Sequence, residues 1–337
     1  MKIQLESILL GLGGTLAVLL PMLGSVAFLT LAERKVMGSM QRRLGPNVVG
    51  YYGLLQPIAD ALKLFVKEGV LPSNANRILF SGAPMVVLFF ALIGWGVIPF
   101  SRGISIWDFE LGILYILAIS SIGVYGVIFS GWAANSKYPF LGSLRSTAQM
   151  ISYEVSLGLI IMIIAINVGS LNLNEIVLSQ MGKWHIIPFL PLCLMFFVSA
   201  LAETNRAPFD IPEAESELVA GFMTEHSSFS FAYFFIGEYC NMIIISAMLA
   251  ILFLGGYLPF ISLSSVLPSG PIFIRMLGEG ISLGIKVSIV LYGFIWVRAS
   301  FPRLRFDQLM SLAWTGILPL TLGLVIMELS LLLAGGV

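Results

Sequence analysis

From Ser7 to Ala32 the chain runs for 26 residues without a charge, and stretches of the same kind recur to its end. A helix crossing lipid hydrocarbon needs about 20 such residues. Candidate spans lie near 7–32, 78–100, 109–132, 147–168, 186–202, 229–256, 277–297 and 309–333. Continuous runs such as Gly-Leu-Ile-Ile-Met-Ile-Ile-Ala-Ile, from Gly158, lack the alternation of a membrane β-barrel strand. Apolar residues make up 58% of the chain and charged ones 11%. Soluble domains average about 45–50% and 25%, so water cannot be the solvent for this much apolar surface. The reading is an all-α polytopic membrane protein, a single integral domain over 1–337, with about eight transmembrane helices.

Orientation follows from the loops. Loops 33–77, 133–146, 203–228 and 298–308 fall on one side and hold 13 of the 18 basic residues. The opposite side has Lys2, Arg102, Lys183 and Arg275, and Lys286 lies inside a span. The positive-inside rule places the 13 in the cytoplasm or matrix. With eight spans, both termini then lie on the intermembrane-space or periplasmic side. No secretory or Arg-rich presequence is visible at the N-terminus, which is expected of a product made in the compartment that uses it.

Within the first loop, Leu55, Ile58, Leu62, Phe65 and Val66 fall on one helical face. Gln56, Asp60, Lys63 and Lys67 fall on the other, and Pro57 suits a first turn. This is an amphipathic helix at the membrane surface. It either rests on lipid, or walls a lipid-level cavity or docks a soluble partner.

Candidate chemistry lies in the acids. Segment 203–225 holds six of the 18: Glu203, Asp210, Glu213, Glu215, Glu217 and Glu225, with only Arg206 to offset them. Crowded carboxylates repel and hold protons more readily, which suits proton uptake. A solvated acidic loop is the plainer reading, but Pro208 and Pro212 imply a shaped segment. Glu154, Glu238 and Lys286 lie inside spans, where ionisable groups are costly and usually functional. Pairing that only fixes helix register is their alternative. Glu328, near a span end, can snorkel to the surface.

Cys193 and Cys240 stand alone in apolar runs, and His185 and His226 lie near segment ends. No ligand spacing suggests zinc, iron–sulfur or haem, so no metal or redox cofactor is expected. Zero net charge gives no reason to expect nucleic acid.

Three segments carry a resemblance: the run from Glu33 to Glu68, the Glu-Thr-Asn-Arg-Ala-Pro-Phe-Asp-Ile-Pro loop from Glu203, and the Arg-Ala-Ser-Phe-Pro-Arg-Leu-Arg-Phe-Asp turn from Arg298. Together with the rest of the chain they resemble the chain 1 family of the proton-pumping NADH:quinone oxidoreductase, respiratory complex I. The family also takes in membrane subunits of energy-converting hydrogenases, and the match of all three loops favours complex I. The resemblance implies a heel subunit forming most of the quinone access tunnel, with ubiquinone as substrate and the redox chemistry on partner subunits of the membrane and peripheral arms. It carries Arg34, Asp60, Arg298 and Asp307 to the tunnel. It carries Tyr153, Glu154, Glu203, Glu213, Glu215, Glu217, Glu238 and Lys286 to proton coupling. The compartment it implies is the mitochondrial inner membrane, or alternatively a bacterial plasma membrane. A stand-alone ion-coupled transporter and a passive anchor are the rival classes. The first often shows inverted repeats, which are not visible here, and the second has no need of acids within spans.

The topology is open to single-cysteine labelling of intact vesicles. Positions 210 and 337 should react with an impermeant maleimide from opposite sides, and reaction of both from one side contradicts the orientation.

Overall fold

The computed structural model describes residues 2–210, 219–259 and 272–335. Among these there is no β-strand, only an isolated bridge between Ser101 and Ile104. The helices are α1 (Lys2–Met40), α2 (Gln56–Val66), α3 (Arg77–Ile93), α4 (Gly112–Ala133), α5 (Lys137–Val168), α6 (Leu173–Ser179), α7 (Leu190–Glu203), α8 (Ser228–Phe253), α9 (Ile272–Ser300), α10 (Phe306–Ser311) and α11 (Leu318–Gly335). A π-helical turn, Leu312–Ile317, joins the last two.

Among the described residues, seven segments are long and apolar enough to cross a membrane. The eighth expected span, 186–202, is shorter. Its helix, α7, has 14 residues, or about 21 Å at 1.5 Å per residue. Pro191 opens it, and the preceding residues form turns around Pro188 instead of extending the helix. The first span differs in the opposite direction. Hydropathy ends it at Ala32, but α1 continues to Met40, so Glu33, Arg34 and Lys35 ride on helix and not in a loop.

The amphipathic segment folds as expected. Helix α2 has Pro57 in its first turn. Its apolar residues Ile58, Leu62 and Phe65 remain largely exposed within the chain.

Helices α3, α4 and α5 pack side by side, and α8 closes against α3 while also meeting α1, α7 and α9. Helix α8 is the axis of the bundle, 72% buried over its most apolar window against 11% for the final span. The C-terminal end of α8 is capped by distant groups. The last four carbonyls of a helix have no partner within it. Here Gln180 Nε2 donates to Ile251 O (2.8 Å), His185 Nδ1 to Leu252 O (3.1 Å) and the Ile186 amide to Phe253 O (3.0 Å). Just beyond, the buried Lys286 ammonium donates to Gly256 O (2.8 Å) and Leu258 O and sits over the Trp184 ring at 4.8 Å. A cation at this helix end also opposes the negative end of the macrodipole.

Small residues set the closest approaches, as is usual between membrane helices. A Cβ on Gly142 of α5 would lie 2.6 Å from Gly221 Cα, whereas one on Gly158 of the same helix would meet nothing within 4 Å. Gly142→Ala should therefore destabilise the chain by about 1–3 kcal/mol, the usual cost of overpacking, and Gly158→Ala should not. Thermal unfolding in matched detergent compares the two.

Candidate functional site

The site is built from two groups of charges at one end of the bundle and a cavity beneath them. The first group centres on Glu33, in the last turns of α1 and 4% exposed. Arg298, at the end of α9, forms an ion pair with its carboxylate. Arg206 lies 3.5 Å from the same oxygen, Glu33 Oε1. The Tyr239 hydroxyl of α8 donates to the other oxygen, and the Arg206 guanidinium lies 4.2 Å from the centre of the Tyr239 ring. One turn segment and three helices thus meet on one carboxylate. Removing one member of such a buried pair costs about 3–5 kcal/mol, because a bare charge is left behind.

The second group lines the surface. Arg34 Nη1 contacts Asp60 Oδ2 of α2 at 2.7 Å, with both side chains well exposed. The Arg34–Asp60 pair therefore orients α2 against α1 more than it stabilises it. Asp210 is buried and accepts from Arg303 Nη2 at 3.0 Å. Asp307 is exposed and pairs with Arg305 at 3.0 Å, away from these contacts in the hydrogen-bond pattern.

Segment 203–210 is held in place from two directions. Gln149 Nε2 of α5, fully buried, donates to Ala202 O (2.8 Å) and Phe209 O (2.9 Å). The Leu304 amide donates to Pro208 O at 3.0 Å. For residues 203–210 this agrees with the shaped segment expected from Pro208; Pro212 lies outside the described residues. Glu213, Glu215 and Glu217 lie outside the described residues.

Beneath this lies a cavity of about 90 Å³, lined by Ser120, Met150, Glu203, Asn205, Glu238 and Asn241 among apolar side chains. A water needs about 10–15 Å³ of such space and two to four polar partners, so a short water chain fits. Glu203 is 7% exposed, and its Oε2 has no partner among the described residues. Glu154 is close enough for the two carboxylates to repel each other. Glu154 Oε1 accepts from Ser120 Oγ at 2.8 Å and from Ser121 Oγ. Because Ser120 also lines the cavity, it links Glu154 to the space shared by Glu203 and Glu238.

The structure therefore gathers Glu154, Glu203 and Glu238. It does not bring Lys286 to them. Glu238 and the α8 C-terminus are 15 residues apart, or about 22 Å along the helix axis, and Lys286 sits beyond that terminus. Tyr153, fully buried on the neighbouring face of α5, donates to Leu309 O at 3.1 Å and packs near Phe209. Residue-by-residue reading passes over Glu33, Arg206 as its partner, and Tyr239. The available signal is an acid and two bases directly after 26 uncharged residues of one helix.

Two histidines flank the bundle. His226 is buried, stacked on Phe80 at 4.0 Å, with Nε2 2.8 Å from Ser130 Oγ. Burial pushes its pKa down to about 4. His185, at the opposite end, is also lowered by burial, with its bond to Leu252 opposing the shift. Among the described residues no three His, Cys, Asp or Glu side chains come together to hold a metal ion.

A family model described as NADH dehydrogenase matches residues 14–329. The chain belongs to the NADH dehydrogenase family. Among its relatives, NADH-ubiquinone oxidoreductase chain 1 of Mycosarcoma maydis is 57% identical over 329 residues, covering 97% of this chain and 98% of that one. A subunit of the NADH-quinone oxidoreductase of Paramagnetospirillum magneticum is 54% identical over 320 residues, covering 95% and 91%. NADH-ubiquinone oxidoreductase chain 1 of Arabidopsis thaliana is 55% identical over 311 residues, covering 92% and 93%. Members of this family are thus named as parts of one enzyme in both eukaryotic and bacterial lineages, and the chain is a membrane protein of that kind.

His226 makes a pH test available. Its folded pKa lies below the usual 6.5, so its contribution to stability is fully present above that value and is lost as pH falls toward about 4. Thermal midpoints should decline over this window, and His226→Gln should flatten that part of the profile.

Proposed function

We propose that this chain is the membrane subunit of a proton-pumping NADH:quinone oxidoreductase that forms most of the quinone access tunnel and couples quinone reduction to proton translocation. The observation that supports the coupling is one small cavity inside an apolar bundle, lined by Glu203 and Glu238, with Glu154 reaching it through the hydroxyl of Ser120. Ionisable groups in hydrocarbon cost about 2.5–3.5 kcal/mol each on insertion scales, so two on one cavity with a third linked to it by a hydroxyl favour proton exchange over mere register. Close carboxylates titrate as a coupled set. A charge change at the quinone end then shifts the proton on the next group inward. Glu213, Glu215 and Glu217, outside the described residues, belong to the same set by the resemblance alone.

Chemistry at the same end supports the tunnel. A quinone has a polar headgroup and a long apolar tail. The apolar residues of α2 left open within the chain, Ile58, Leu62 and Phe65, suit the tail. Arg34, Asp60 and Arg298, with Glu33 beside them, suit the headgroup's passage. Asp307 belongs with the turn after α9 that carries Arg303 and Arg305. The chain itself holds no redox centre in this proposal. Electrons arrive through peripheral-arm partners, and protons pass to other membrane-arm partners. The compartment in this proposal is the mitochondrial inner membrane, or alternatively a bacterial plasma membrane, with both termini on the intermembrane-space or periplasmic side. Lys286 serves by fixing the end of α8, which positions the helix that carries Glu238.

Asp60→Asn should depress quinone-linked NADH oxidation while leaving oxidation by a hydrophilic artificial acceptor intact. Equal loss of both rates signals failed assembly, and no loss removes Asp60 from the tunnel. Glu203→Gln and Glu238→Gln keep size and hydrogen bonding but remove a proton. Turnover and proton translocation should fall together, and full rates with full stoichiometry in both variants contradict the coupling role.

A further inference from the structure

We infer that the outward-facing groove between α4 and α5 is a docking site for one transmembrane helix of another subunit, bearing a Lys or Arg near its outer end. The inference rests on the proposal that the chain works within a multi-subunit complex. The groove encloses about 700 Å³ and is floored by Leu114 and Leu117 of α4 and Gly158 and Met162 of α5, with Glu110 and Glu175 on its outer rim. Leu114 and Met162 are each about half exposed.

Three observations select the occupant. First, the same two helix faces continue inward to Ser121 and Glu154, the former exposed and the latter half-buried. An acid reached from the lipid-facing side of a span is costly against hydrocarbon, so acyl chains are poor cover and a polar side chain on a protein helix is good cover. Second, Glu110 and Glu175 form no ion pair among the described residues. Two acids at a membrane surface repel phosphate headgroups and attract a cation held at the end of a helix. Third, Gly158 is not required by the packing of this chain, since a Cβ there would meet nothing within 4 Å. A glycine facing outward lets a foreign backbone approach closely. A second copy is disfavoured, because a two-fold axis along the membrane normal would bring the acidic rims of both copies to the same side.

The test is photocrosslinking in native membranes carrying the assembled protein, with a benzophenone amino acid at position 162. The expected product joins this chain to a different membrane subunit, within a helix that has a Lys or Arg toward the outer surface. Gly158→Leu should abolish that product. Combining Glu110→Lys with Glu175→Lys should cut its yield at least about tenfold, equivalent to roughly 1.4 kcal/mol. Charge reversal of the partner's basic residue should then restore it. Products with lipid alone, with a second copy, or with a helix lacking an outer basic residue overturn the inference. Quinone-linked NADH oxidation in the same membranes separates the two proposals. Activity without the crosslink to another subunit overturns the docking site alone, and the crosslink without activity overturns the functional reading alone.

Discussion

A carboxylate that lipid would reject, Glu33, fixes one end of this molecule. Its charge is tolerable only because Arg206, Arg298 and Tyr239 converge on it. In a low-dielectric interior each charge–charge contact is stronger than in water, and the penalty for an unpartnered one is larger. The geometry that satisfies Glu33 therefore also sets where α1 meets α8, where α9 ends and how the chain leaves α7. The neighbouring contacts, Gln149 on the backbone of segment 202–209 and Arg303 on Asp210, continue the same solution outward.

The two ends of α8 show how one helix serves both faces of a bundle. In its first half it contributes Tyr239 to the Glu33 cluster and Glu238 to the cavity. At its end it exposes carbonyls that three other segments cover. The distance between these regions separates a cluster of carboxylates and a cavity from groups tied up in backbone hydrogen bonds. Lys286 belongs to the second region, although its position in an apolar run suggests the first.

Much of this organisation is legible in the sequence. Uncharged runs locate the long helices, and the alternation of faces after Leu55 locates α2. The acids Glu154, Glu203 and Glu238 stand out because charges are rare in such a chain; Glu203 and Glu238 line one cavity, and Ser120 links Glu154 to it. Hydropathy does not locate the end of α1, because an α-helix continues past the last apolar residue when its charges find lateral partners. Those partners, Arg206, Tyr239 and Arg298, are far away in the sequence, and no local pattern records them. The shortness of α7 is similarly hidden. Its apolar run is long enough to cross, but Pro188 and Pro191 divert the backbone. The placement of Lys286 depends on where the chain turns after α8, which the apolar pattern leaves open.

The low burial of the final span has a practical consequence. Helix α11 leans chiefly on α5, with Asn167 of α5 donating to Glu328 at 2.6 Å. Most of its surface, including Leu320, Ile326 and Leu333, is open. What keeps such a helix upright is the lateral pressure and thickness of the surrounding bilayer more than its own protein contacts. A short-chain detergent that replaces this bilayer with a thin, mobile shell loosens α11 before it disturbs the axis at α8. The choice of solubilising medium thus decides whether the C-terminal edge of this protein is still in place when it is purified.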